Sequence, residues 1–233
     1  MAHPPPKPSS GPFNQEMADA YDRRNAGLKP VSDCLHFLMR LTLAQLPEKA
    51  KVLCVGVGTG AEIFALASER PNWTFVGVDP SAEMLGVADY RLKEAGIGER
   101  CTLVEGYVED VVENGFDVAV SLLVAHFVER ADRPAFYRAI HDRLVPGGRF
   151  LSAEISCDFD SPAFPGMLED WKRLHRMMGT APEALASLDQ TLREELEIVP
   201  PSETESLWRD AGFSLPTPFF QAFLIRGWHA LKP

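Results

Sequence analysis

The sequence predicts an α/β chain built on a mostly parallel sheet with helices on both faces. Short apolar, β-branched runs alternate with helical patterns from Lys51 to Glu154. The first run ends in three glycines spaced two apart, Gly56, Gly58 and Gly60, and a helical pattern follows at once. A second run, Phe75–Val78, then closes on an acid, Asp79, about 20 residues beyond the glycines.

Each element can be justified in order. Residues 1–12 hold five prolines and no hydrophobic pattern, which predicts a disordered or extended tail. Phe13–Ala26 reads as a short helix, and Pro30 opens another whose apolar positions Val31, Leu35, Leu38, Leu41 and Leu46 keep helical spacing up to Pro47. Together residues 13–50 are expected to form an N-terminal helical lid over a catalytic domain spanning 51–233. Strands are expected at Lys51–Val55, Trp73–Val78, Cys101–Glu105, Asp117–Ser121 and Arg149–Glu154. Helices fill Ala61–Arg70, the stretch from the Ser81 cap to Gly96, and the stretch from an Asp132 cap to the Pro146-Gly147-Gly148 turn. The rhythm breaks over 157–200, where leucine and methionine spacing predicts two or three inserted helices. Glu203–Ala211 is a further helix, and Phe213–Phe219 with Ala222–Leu231 reads as a closing antiparallel hairpin.

Composition narrows the function. At 233 residues and 45% hydrophobic content, one domain with a sizeable core is expected. The formal net charge of −10, with no cluster of Lys and Arg, argues against a nucleic-acid partner, because phosphate contacts need cations. A small-molecule substrate is expected instead, and a homodimer is compatible. Cys34, Cys54, Cys101 and Cys157 stand singly, without metal-ligand spacing, as in a reducing cytoplasm. No apolar run is long enough to span a membrane, and no metal site is expected.

A strand, a glycine turn, a helix, a strand and an acid are the parts that place a nucleoside on a sheet edge. The glycines admit backbone close to the ligand, and the acid accepts from ribose hydroxyls. The G-x-G-x-G spacing differs from the dinucleotide G-x-G-x-x-G. It resembles motif I of the class I S-adenosylmethionine (SAM) dependent methyltransferases. Phe116–Ser121 resembles their fourth strand, Leu122–Phe127 the segment after it, and Leu144–Phe150 their L-x-P-G-G turn. The resemblance implies a Rossmann-like, seven-stranded sheet and SAM as cofactor. The WKRLH segment, the run Glu194–Glu205 and the F-F-Q-A-F ending resemble more closely the carboxy-SAM synthases of tRNA wobble-uridine modification. That subgroup carries an arginine for the extra carboxylate, and by chain order its place falls near Gln190, with Arg193 three residues on. Glutamine lacks the charged fork that arginine offers a carboxylate, so plain SAM is the expected ligand.

Carried onto this chain, the resemblance implies a cofactor set of Gly56, Gly58, Gly60, Glu62, Asp79, Pro80, Met84, Tyr107, Val108, Glu109 and Leu122. Cys54 stands where the family's first acid would be, which opens the ammonium contact to Glu62 or to backbone carbonyls. Glu62 reads equally as a plain helix-start acid. Tyr107 replaces the usual adenine-loop aspartate, leaving Glu109 or Asp110 to accept from the purine. His126 and Tyr21 are the candidate proton acceptors; His126 reads somewhat more readily as a backbone-bonded histidine at a helix start. Phe127, Glu154 and Trp171 are expected substrate contacts. The expected activity is methyl transfer to a small acceptor. Intramolecular cyclisation of SAM with loss of methylthioadenosine, carboxy-SAM synthesis, and non-catalytic SAM binding remain as alternatives.

Overall fold

The computed structural model describes residues 26–233. The expected tail, nearly all of the expected helix 13–26, and Tyr21 therefore lie outside the described residues. A seven-stranded sheet runs in the order β3-β2-β1-β4-β5-β7-β6. Its strands are β1 (Lys51–Val55), β2 (Thr74–Asp79), β3 (Cys101–Glu105), β4 (Phe116–Leu122), β5 (Leu144–Ile155), β6 (Ser214–Ala222) and β7 (Ile225–Leu231). The first five are parallel, and β7 pairs antiparallel with both β5 and β6. Strand order reverses between β1 and β4. In an open α/β sheet, the crevice at that switch point is where ligands bind.

Helices α1 (Lys29–Thr42), α2 (Ala61–Ala67) and α3 (Ala82–Glu94) bring Met39, Leu43, Ile63, Leu66, Leu85 and Leu92 against one face of the sheet. On the other face, α4 (Arg133–Arg143) and α8 (Pro201–Asp210) bury Phe136, Tyr137, Ile140 and Trp208 around Phe150. The inserted segment forms three helices, α5 (Phe164–Met177), α6 (Pro182–Ala186) and α7 (Leu188–Glu194). Its Phe164, Leu168, Trp171, Leu174, Leu188 and Leu192 make a third core with Leu35 of α1 and with Leu224 and Ile225. Helix α1 thus bridges the insert and the sheet, through Leu35 on one side and Met39 and Leu43 on the other.

Three expectations are corrected. The helix expected at Ala61–Arg70 ends at Ala67, because Ser68–Arg70 turn back toward β2 and Arg70 N–H and Glu69 N–H both bond to the Leu66 carbonyl. Asp132 occupies the N-cap of α4 without a side-chain capping bond; the preceding turn is closed by Asp132 and Arg133 N–H to the Glu129 carbonyl. Strand β5 begins at Leu144, because the Pro146-Gly147-Gly148 stretch is a bulge inside it. Leu144 faces Phe116, Arg149 faces Val118, and the bulge is tied to the chain end by Gly147 N–H to the Lys232 carbonyl.

Candidate functional site

The carboxyl ends of β1, β2 and β4 meet at the switch point. Gly56, Gly58 and Gly60 all adopt positive φ, at 68°, 51° and 85°. A side chain there would be strained, and at Gly56 a Cβ would also lie 2.3 Å from Val124 Cγ2. The turn is pinned to β2 by Gly56 N–H and Val57 N–H, which both donate to the Val78 carbonyl at 2.8 and 3.1 Å. Above Gly58 the space is open: a Cβ there would meet only Met84 Cε, at 3.4 Å.

Asp79 sits where the acid was expected and also organises the turn. Its Oδ2 accepts from Gly58 N–H and its Oδ1 from Ser81 N–H, both at 2.9 Å. Each carboxylate oxygen has a second lone pair for a ribose hydroxyl. Ser81 caps α3 by accepting from Met84 N–H at 3.2 Å, so Pro80 and Met84 are held beside Asp79. Sheet pairing sets Asp79 opposite Glu105, and Gly106 N–H donates to the Asp79 carbonyl at 3.1 Å.

The loop after β3 separates the adenine candidates. Asp110 turns back to accept from Tyr107 N–H at 2.8 Å, so it closes its own loop. Glu109 and Tyr107 are exposed. Val108 is buried in the core beside Val111, which leaves only its backbone for a ligand.

Glu62, in the first turn of α2, is only 5% exposed, and its Oε1 has no hydrogen-bond partner among the described residues. Burial, reinforced by the Asp79 charge, pushes its carboxyl up to about 8. Cys54 lies fully buried below it, and burial, with the neighbouring Glu62, drives the thiol well above its ordinary range.

After β4 the chain passes Leu122, then Leu123 in a left-handed conformation at φ 60°. Leu123 N–H donates to the Ala153 carbonyl at 2.6 Å. A leucine held at positive φ is strain stored at the crevice. Nothing in a leucine's sequence context signals it. Val124 then covers Gly56. His126 is 3% exposed, and its Nδ1 accepts from Ile155 N–H at 3.3 Å. Burial and Arg133 hold it down to about 4, so the ring is neutral near pH 7. Phe127 stacks near it, with centroids 4.3 Å apart, and is mostly exposed.

Two expected substrate contacts, Glu154 and Trp171, are buried with partners inside the protein. Glu154, 1% exposed, forms a salt bridge at 3.0 Å with Arg133, 0% exposed, and accepts from Thr204 Oγ1 at 2.8 Å. Arg133 also donates to the Glu197 carbonyl. The carboxylate is consumed by side chains of α4 and α8, on the sheet face away from the glycine turn's helix. Trp171 is buried among the leucines of the insert, edge-on to His175, so its indole is core. Gln190 is exposed and bonded to Glu194. Arg193 instead lies over the Phe159 ring at 4.5 Å while donating to Asp189.

A cleft of about 540 Å³ lies between α1 and α2, lined by Asp33, His36, Arg40, Ala61, Phe64 and Ala65. It flanks the glycine turn and is not lined by Asp79. No group of acids, histidines and cysteines among the described residues can hold a metal ion. The residues present do fit a cationic nucleoside: an open glycine cradle, a carboxylate ending β2 beside it, and a buried carboxyl oxygen without a partner at the start of α2.

Residues 52–148 match the methyltransferase domain family. A carboxy-S-adenosyl-L-methionine synthase of Campylobacter hominis is 27% identical over 212 residues, covering 90% of this chain and 89% of that protein. Among solved structures, the pyocyanin biosynthetic protein PhzM aligns with a TM-score of 0.65 at 20% identity, over 96% of this chain and 62% of its own. PigF, solved with SAH, aligns at 0.62 and 19% identity, over 93% and 60%. The chain spans about three fifths of each of these two structures, which share its fold.

Proposed function

Since the chain belongs to the class I SAM-dependent methyltransferases, we propose that it transfers the methyl group of SAM to a small-molecule acceptor. The observation that carries this is the Asp79 carboxylate bonded to Gly58 N–H, which holds acid and glycine turn as one unit at the switch point. When bound, SAM supplies an electrophilic methyl on a sulfonium. Asp79 accepts from the ribose, Gly56–Gly60 lie under the amino-acid half, and Glu109, Tyr107 and the Val108 backbone border the purine. Leu122–Val124 wall the reacting side and exclude water. Attack needs the acceptor held roughly 3 Å from the carbon it attacks, so positioning supplies most of the rate. Because burial and Arg133 make the ring a weak base and its Nδ1 is spent on Ile155, His126 is favoured as an anchor of β5 over a proton acceptor. Tyr21 remains the other candidate. We place the reaction in the cytoplasm, on four cysteines that all stay free, and the dimer as its compatible assembly.

A second reading has its own support. Arg193 lies on the insert beside Phe159 and Cys157, near the carboxyl end of β5, and could serve a carboxylate in place of Gln190. Incubation with SAM and an acceptor panel, followed by mass spectrometry, decides the reaction. S-adenosylhomocysteine (SAH) as the nucleoside product supports methyl transfer, and methylthioadenosine indicates cyclisation. Carboxy-SAM formed in the presence of prephenate, and lost in Arg193→Gln, would replace the first reading with the second.

A further inference from the structure

We propose that Glu62 is the group that receives the α-ammonium of SAM in this chain. The inference rests on the SAM-binding reading above and assigns a contact within it. In the resembled family, the acid for this contact ends the first strand, and here that position is Cys54. A thiol that burial holds protonated offers a cation no charge. Glu62 lies in the first turn of α2, two residues after Gly60, and its charge acts on Cys54.

Its carboxyl is buried, and Oε1 has no donor among the described residues. A buried polar atom without a partner calls for an explanation. The charge that acts on it is the negative Asp79 from β2, while the buried Cys54 thiol of β1 is itself pushed up by Glu62. Among the described residues Glu62 forms no ion pair with a cationic side chain. Glu62 therefore sits beside a second acid without a counter-charge, and an incoming ammonium supplies both the missing donor and the missing charge.

A proton must move. Near neutral pH the free protein holds Glu62 mostly protonated, since its carboxyl titrates at about 8. Beside an ammonium the carboxylate is the favoured form, so the proton leaves to solvent as the ligand binds. Affinity for an amino-acid-bearing nucleoside should then rise with pH up to about 8 and level off above it.

Calorimetric titration of the full chain at pH 7, in two buffers of different ionisation enthalpy, tests this. SAH, which carries the ammonium, should release close to one proton per site. Methylthioadenosine, which lacks the amino-acid half, should release none. In Glu62→Gln the release should vanish and SAH should weaken by about 10- to 100-fold, with methylthioadenosine unchanged. SAH binding without proton release, or release that persists in Glu62→Gln, would overturn the proposal while leaving SAM binding intact. Failure of SAH to bind wild type at all would instead remove the reading on which it rests. The comparison of the two ligands on wild type needs no variant, so poor folding of Glu62→Gln would not shield the proposal.

Discussion

Glu62, in the first turn of α2, and Glu154, near the end of β5, are buried to a similar degree yet sit in opposite surroundings. Glu154 has a guanidinium at 3.0 Å and a threonine hydroxyl at 2.8 Å. Glu62 has an unpaired oxygen, a buried thiol and the negative Asp79. In the first arrangement both carboxylate oxygens and the counter-charge are matched within the protein, although Arg133 Nε lacks a partner among the described residues, and it stitches α4, β5 and α8 together. The second is incomplete until a cation arrives. Burial of an acid therefore does not separate structure from function; the presence of its counter-charge does.

Breaking the complete pair should give the largest effect. Arg133→Met leaves Glu154 as a buried, uncompensated acid, and removing one partner of such a pair costs about 3–5 kcal/mol. Urea denaturation should show this loss, and the double change with Glu154→Met should recover much of it. A loss below about 1 kcal/mol would mean that water reaches Glu154 and that the contrast is false.

The incomplete site should respond in the other direction. Between pH 4.5 and about 8 the unfolded chain has already lost the Glu62 proton while the folded chain keeps it. The unfolded state thus binds fewer protons, so stability falls as pH rises through that window. Glu62→Gln should remove this slope and stabilise the fold at pH 7 by on the order of 3 kcal/mol. A stability gain coupled to weaker SAH binding is the expected mark of a group kept for its ligand. If denaturation curves show no gain and no change of slope, Glu62 is already satisfied.

A smaller effect is expected at His126. Its folded-state pKa of about 4 lies below the ordinary 6.5, so its contribution is present above pH 6.5 and is lost as pH falls toward 4. His126→Ala strands Ile155 N–H and should cost about 1–3 kcal/mol, while activity on the true acceptor stays within a few-fold. A rate loss of roughly 10²–10⁴ with unchanged stability would instead make His126 a general base.

Most of the fold was legible in the sequence because its signals are local. The glycine turn, the acid ending β2 and the apolar strand cores each read from neighbouring residues, and Ser81 caps α3 as its chemistry predicts. The closing hairpin is present as expected. Long-range chemistry was not legible. Glu154 stands at a strand end where a substrate contact is reasonable, but its partners Arg133 and Thr204 lie 21 and 50 residues away. Trp171 has helical spacing on an amphipathic segment, and only the packing of α5 shows that its face turns inward. The strand-like bulge at Pro146–Gly148 depends on the chain's last residues pairing with it. Leucine gives no hint of the left-handed turn at Leu123, which is imposed by its bond to Ala153.

The central claim is that the glycine turn and Asp79 form a SAM site, and titration of SAH against wild type and Asp79→Ala tests it most directly. Removing the acid takes away charge-assisted ribose bonds and the anchor of Gly58 N–H, which should weaken SAH by about 2–4 kcal/mol. Calorimetry should show tight binding to wild type and a loss of that size in the variant. Unchanged affinity in Asp79→Ala, with the variant folded, would contradict the account.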